Sequence, residues 1–214
     1  MVMARRDRSQ QCADGSLVCT SGASRSGKTA RVIQLTRDAQ RCVAWDPEDQ
    51  LWSDAKMRRV DSIAGLLEAM SKAGSGALRV AYVPRVVSVD AHSAWAMAVL
   101  WWARECGPCS AIAEELADVS SPGKASAGWG QLVRRGLKRG ATIYAISQRW
   151  AEADKTVVGN AGRFLIFRQA TRQDIAYMAS RVDVPESIIA GLGRLEYVDY
   201  DGIEKTFEKK KVQF

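Results

Sequence analysis

Long apolar runs are missing from these 214 residues. The longest, "AWAMAVLWWA" at 94–103, falls well short of the roughly 20 residues a bilayer span needs, so the chain is expected to be soluble. No apolar core follows the polar start "MVMARRDRSQQ". No secretory signal is therefore expected, and the thiols are expected reduced in a cytosolic compartment. Histidine is almost absent, with His92 alone, and no second cysteine pair accompanies Cys106-Gly-Pro-Cys109. A zinc site of the usual Cys/His spacing is excluded on that ground. Neither an internal repeat nor a low-complexity segment appears, which excludes a repeat array.

What is present is an ordinary globular balance, 47% apolar and 26% charged, enough for one α/β domain over residues 1–214. The net charge of +7 favours an acidic partner such as nucleic acid, although a basic solvated surface would give the same figure. Five cysteines make an odd count. The Cys106-to-Cys109 spacing is that of a redox motif, and equally of a turn entering a strand.

Residues 1–15 read as a loose polar leader. "SLVCTSG" is a short buried strand running into a glycine loop, and "KTARVIQLTRDAQ" a helix. Strands follow at 41–47, 77–84, 109–115, 141–148 and 162–168. Helices separate them: one capped by Ser62, with Ile63, Leu66, Leu67 and Met70 on one face, then a Trp- and Ala-rich one at 91–106. On the latter, Trp95 and Trp102 share a core face and Trp101 points elsewhere. "SSPGKASAGWG" (120–130) reads as a flexible loop and "QLVRRGLKR" as a basic helix. Residues 171–181 are helical. Residues 194–214 form a hairpin turning at Asp201-Gly202, with a basic tail at Lys209, Lys210 and Lys211. Strands alternating with helices imply a mostly parallel central sheet.

"GASRSGKTA" fits the phosphate-binding pattern Gly22-x4-Gly27-Lys28-Thr29 in full. Its glycines let backbone N–H groups turn inward around phosphate oxygens, and the helix start adds positive potential. The stretch Gly22, Ala23, Ser24, Arg25, Ser26, Gly27, then Lys28, Thr29 and Ala30, is the expected ATP contact. Lys28 would reach the β- and γ-phosphates, and the Thr29 hydroxyl would ligate Mg²⁺. "AIAEEL" ends a neighbouring strand on two carboxylates. Glu114 takes the Mg²⁺-side position and Glu115 that of a general base for water. Gln148 closes the 141–148 strand where a γ-phosphate sensor would stand; an amide capping the next turn is the plainer reading.

Taken together, "GASRSGKT", "VAWDPE" with Asp46, "LRVAYVP", "AIAEELADV" and "AISQRWAEADKTVVGNAGRFLIFR" resemble the FtsK–HerA superfamily of DNA-pumping ATPases. Within it, they are most similar to the genome-packaging ATPases of membrane-containing, tectivirus-like viruses. The resemblance covers roughly residues 16–182. It implies a P-loop NTPase of RecA-like, ASCE type: a three-layer sandwich with a mostly parallel sheet and, here, a C-terminal β-hairpin. It implies ATP and Mg²⁺, a homo-oligomeric ring (a hexamer or pentamer), and Gln148 as the sensor. It also implies an arginine finger from the neighbouring subunit, for which Arg134, Arg135, Arg139 and Arg149 are candidates and Arg135 is the first choice. "RGLKRG" carries Leu137 where relatives often place an arginine, and Glu114 replaces the commoner aspartate.

Double-stranded DNA would be gripped by its phosphates, without regard to sequence. Lys124 in the loop after Glu115, and the cluster Arg134, Lys138 and Arg139, are the candidate contacts. Capsid portal or vertex proteins are implied partners, and the host cytoplasm and virion packaging vertex the implied locations. Alternatives that remain open are a cellular or plasmid-borne translocase of the same superfamily and a small-molecule P-loop kinase.

Overall fold

Strand β1, Leu17–Ser21, is buried at every position, as a strand covered on both faces must be. The computed structural model describes residues 14–121, 123 and 125–214, so the expectation placed on Lys124 lies outside the described residues. After β1 come α1 (Lys28–Thr36), β2 (Arg41–Trp45), α2 (Leu51–Asp54), β3 (Arg58–Val60), α3 (Ile63–Ala73), β4 (Leu78–Tyr82), α4 (Val89–Cys106) and β5 (Cys109–Ala113). Then follow α5 (Ala127–Gln131), β6 (Ala141–Ser147), α6 (Lys155–Asn160), β7 (Arg163–Phe167), α7 (Arg172–Ala179), α8 (Glu186–Ala190), β8 (Glu196–Asp201) and β9 (Thr206–Lys211).

Among the described residues the strands form one sheet in the order β3-β4-β2-β5-β6-β1-β7-β8-β9. It is parallel from β3 to β7, and β8 and β9 add an antiparallel hairpin. Side chains alternate between its faces. Ala111 and Ala113 of β5 join Trp95, Trp102, Leu66 and Met178 on one side, while Ile112 joins Val32 and Leu51 on the other. Helix α1 covers the second side and α3 to α8 the first, which makes three layers. Among the described residues no helix is long and apolar enough to cross a membrane.

The structure corrects the sequence reading at three places. The stretch read as a flexible loop up to residue 130 contains α5. Ser126 caps it by accepting from Trp129 N–H, and Gly128 donates its N–H to Ser93 Oγ at 2.9 Å. A Cβ on Gly128 would lie 2.0 Å from the Ser93 carbonyl oxygen, so this glycine serves close helix crossing and not mobility. The basic helix is not regular: Leu132–Gly136 is wound as a π-helix and Leu137–Arg139 tightens to 3₁₀. The hairpin does not turn at Asp201-Gly202 alone. Asp201 ends β8, and its carboxylate accepts the N–H groups of Ile203 and Glu204, closing a four-residue loop over 202–205.

Ser62 caps α3 as expected, accepting from Gly65 N–H at 3.1 Å. The Cys106–Cys109 segment is a turn into a strand: Gly107, at φ 97°, ends α4 and Cys109 opens β5. Both thiols are buried, and burial pushes that of Cys109 up to about 12.

Candidate nucleotide site

Parallel strands deliver their C-terminal ends to one edge of the sheet, and β6 lies between β1 and β5. The loop after β1, the carboxylates after β5 and the amide after β6 are thereby brought together. That is the usual place for a ligand in an open α/β sheet.

The loop from Gly22 to Gly27 is braced by its neighbours. Ala23 N–H donates to the Arg168 carbonyl at 2.8 Å, which ties the loop to the end of β7. A Cβ on Gly22 would sit 2.6 Å from Phe167 Cβ and 2.8 Å from Ser26 Oγ. Gly27, at φ 106°, is the N-cap of α1, a conformation glycine adopts at little cost. Ser24 and Arg25 are exposed, and Arg25 has φ 58°. Ser26 is buried, with its Oγ unpartnered among the described residues. Lys28 is buried as well; its Nζ donates to the Ala23 carbonyl at 2.9 Å, which aims the ammonium into the loop. Burial lowers its pKa, opposed by Glu115 and Glu114. Ala30 is half-buried on the first turn of α1.

Thr29 donates its hydroxyl to Glu114 Oε1. Glu114 is buried, and its carboxyl is pushed up to about 7. Desolvation is the largest cause; the Thr29 bond opposes it, while Asp46 and Glu115 add repulsion. A hydroxyl and a carboxylate side by side are hard oxygen donors of the kind Mg²⁺ takes when it keeps waters and phosphate oxygens. They fit a nucleotide-borne Mg²⁺, with Thr29 and Glu114 as its protein ligands. Among the described residues no group of three or more His, Cys, Asp or Glu is arranged to hold a metal unaided.

Glu115 follows in the left-handed region at φ 42° and ψ 58°, which turns it off the strand direction. Such backbone is costly for a residue with a side chain and tends to persist at functional sites. Gln148 Nε2 donates to Glu115 Oε1 at 3.0 Å. Five expected residues, Lys28, Thr29, Glu114, Glu115 and Gln148, are thus one connected group.

Two further residues support it. Asp46 is fully buried at the end of β2 and accepts N–H bonds from Gln50 (3.2 Å) and Trp52 (2.8 Å). Gln169 was not foreseen. It accepts from Ser21 Oγ at 3.1 Å and donates to the Phe167 carbonyl, joining the end of β1 to that of β7. Its only trace in the sequence is a polar amide just past the apolar "RFLIFR".

The basic residues lie elsewhere. Arg134, Arg135, Lys138 and Arg139 precede β6 and line a groove with Trp101, not the nucleotide-side group of their own chain. Arg149 pairs with Glu152 at 2.5 Å and with Asp174 at 3.7 Å.

No family model matches the chain. Protein P9 of Pseudoalteromonas phage PM2 is 36% identical over 138 residues, 64% of this chain and 61% of that protein. The aligned chain thus spans about three fifths of that relative's length. The genome packaging NTPase B204 of Sulfolobus turreted icosahedral virus 2, solved in complex with ATP-gammaS, superposes with a TM-score of 0.77. The two are 14% identical over 93% of this chain and 98% of that one. VirB4 of Thermoanaerobacter pseudethanolicus superposes at 0.66, 9% identical, over 100% of this chain and 98% of that chain. The chain has the P-loop NTPase fold of these solved structures.

Proposed function

We propose that residues 1–214 form an ATPase domain that pumps double-stranded DNA into a viral capsid. The observation that carries this is the coupled carboxylate pair. Glu114 is bonded to Thr29, and the adjacent Glu115 is bonded to Gln148, at the open end of the central strands. Binding a phosphate needs only the loop; hydrolysis needs a base and a way to report on the γ-phosphate.

In this reading the loop's N–H groups and Lys28 hold the β- and γ-phosphates of ATP. Thr29 and Glu114 would hold a nucleotide-borne Mg²⁺, which would supply charge neutralisation on those phosphates. Glu115 accepts a proton from the attacking water. Gln148 positions Glu115 and, being hydrogen-bonded to it, can relay the state of the γ-phosphate to β6. Arg135 of a neighbouring copy in a hexameric ring neutralises charge on the γ-phosphoryl oxygens. Arg134, Lys138 and Arg139, with Lys124, contact DNA phosphates. The name of B204, a genome packaging NTPase, and the phage source of Protein P9 support the packaging assignment. Portal or vertex proteins would be the partners, in the host cytoplasm and at the virion vertex.

The test is steady-state ATP turnover with and without double-stranded DNA, for the wild type and Glu115→Gln. DNA should raise wild-type turnover and leave the variant inactive. Turnover indifferent to DNA, with no ring formed in the presence of nucleotide, would exclude a motor.

A further inference from the structure

Helix α4 carries a second stripe at the margin of the core, with Leu100 buried and Trp101 packed against it. Met97, Leu100, Trp101 and Arg104 recur at i, i+3, i+4 and i+7, so they share one helical face. Opposite them, Gln131, Arg134, Arg135 and Lys138 repeat the same spacing, joined by Arg139. In an ordinary helix pair both facing stripes are apolar and close on each other. Here α4 and the Leu132–Gly136 segment do close, through the buried Leu132 and Val133, and beside that contact a mainly apolar wall and a mainly cationic one flank a groove of about 430 Å³. Among the described residues no acidic side chain lines it.

Three details show that the cationic wall is available. First, Arg134, Lys138 and Arg139 have no acidic partner among the described residues, and Arg135 has only a long bond of 3.4 Å to Gln131. Second, the wall is under-wound: Leu132–Gly136 is the π-helical segment, and π turns inside helices concentrate at functional sites. Third, Trp101 is only half-buried and Met97 is 42% exposed, so a flat apolar surface faces the cations.

We propose that this groove binds a nucleotide unit with an unpaired base, the base against Trp101 and Met97 and the phosphates against the arginines. Phosphate suits planar guanidinium forks, and an indole face accepts any base. The volume admits one such unit and not a duplex, whose bases are stacked inside. The ligand has two sources, single-stranded nucleic acid and free nucleoside triphosphate. The site lies toward the N-terminal ends of β5 and β6, where α4 ends and β6 begins, and the Lys28–Glu115 group lies at their other ends. It is therefore separate from the hydrolytic site. The inference does not need the ATPase reading, and it takes Arg134, Lys138 and Arg139 from the duplex phosphates assigned to them there to this unpaired unit.

Fluorescence anisotropy of labelled (dT)12, a blunt 20-bp duplex and an acidic Trp-containing peptide, without ATP or Mg²⁺, tests it. The same variants are titrated with a fluorescent ATP analogue to count sites per chain. Trp101→Leu and Arg104→Ala are the variants; Arg104 is exposed, and its Nε donates to its chain neighbour Glu105 at 2.6 Å. Trp101→Leu should weaken (dT)12 binding by about tenfold or more. Arg104→Ala should lower the salt dependence by about 0.7 in log–log slope. Both should leave DNA-free ATP turnover at the wild-type rate. A single strand bound with this dependence identifies nucleic acid as the source. Two analogue sites falling to one in Arg104→Ala identify free nucleotide. Tighter duplex binding indifferent to Trp101, preference for the acidic peptide, or no binding of either nucleotide form would overturn the proposal. Because hydrolysis is not required, a failed motor and a failed groove give different results.

Discussion

At the residue scale, the neighbours Glu114 and Glu115 are divided by their backbone. Glu114 continues β5 inward to Thr29, and burial makes it reluctant to ionise. Glu115 swings out through its left-handed φ to meet Gln148. In the proposed mechanism, a metal-side carboxylate and a water-side carboxylate would thus arise from one dipeptide. Glu115→Gln keeps the shape and removes the base. Turnover should fall by roughly 10²- to 10⁴-fold, the usual worth of a general base, with ATP affinity little changed. Single-turnover hydrolysis and equilibrium nucleotide binding measure the two separately. An equal loss in both would make Glu115 a binding residue. Gln148→Ala should lower turnover without touching the Thr29–Glu114 pair. The loop, both glutamates and Gln148 were legible because each ends an apolar run on a polar residue. Gln169 and the buried role of Asp46 were not: Gln169 meets the Ser21 hydroxyl of a strand far away in sequence, and Asp46 acts on the backbone N–H groups of Gln50 and Trp52, which no side-chain pattern marks.

Among elements, the least expected feature is the aromatic cluster joining β2, α4 and α5. His92 stacks with Trp95 at 5.4 Å and lies 5.0 Å from Trp45 and 5.1 Å from Trp129. Both its nitrogens are unpartnered among the described residues, and burial depresses the imidazole to about 3. Unfolded, it would titrate near 6.5. Between those values the unfolded chain binds a proton that the folded chain does not. His92 therefore leaves stability intact above about pH 6.5 and lowers it as the pH falls toward 3, by about 1.4 kcal/mol per unit. His92→Phe should remove that loss. Its melting temperature should exceed the wild type's by several degrees at pH 5, and the gap should narrow by pH 7.5. A gap independent of pH would mean that packing alone is at work. At the crossing beside this cluster, Gly128→Ala forces a methyl onto the Ser93 carbonyl. It should cost about 1–3 kcal/mol, read as a lower melting temperature. The sequence disclosed α4 through its long apolar face. It hid α5, because glycines that permit helix contact look the same as glycines that loosen a loop. It also hid α2 and β3, since "LWSD" and "RRV" are too short and too charged to show a period.

For the molecule as a whole, the parallel sheet sets two regions at opposite ends of its central strands. Lys28, Thr29, Glu114, Glu115 and Gln148 gather at the C-terminal ends of β1, β5 and β6, while Arg135 belongs to the basic wall preceding β6. Within one chain Arg135 lines the groove, so any contact with a γ-phosphate must come from another copy. A head-to-tail ring offers that geometry, because every interface then joins unlike faces. Subunit mixing decides the matter. Lys28→Ala lacks a phosphate ligand but keeps Arg135; Arg135→Ala lacks the guanidinium but keeps a complete loop. Each alone should be nearly inactive. Mixed in equal amounts, about a quarter of random interfaces would pair an intact loop with an intact Arg135, and turnover should recover to about that fraction. No recovery removes Arg135 from the reaction and leaves it to the groove, where (dT)12 affinity without ATP still reports on it. Recovery together with unchanged (dT)12 affinity in Arg135→Ala assigns the residue to the subunit interface alone.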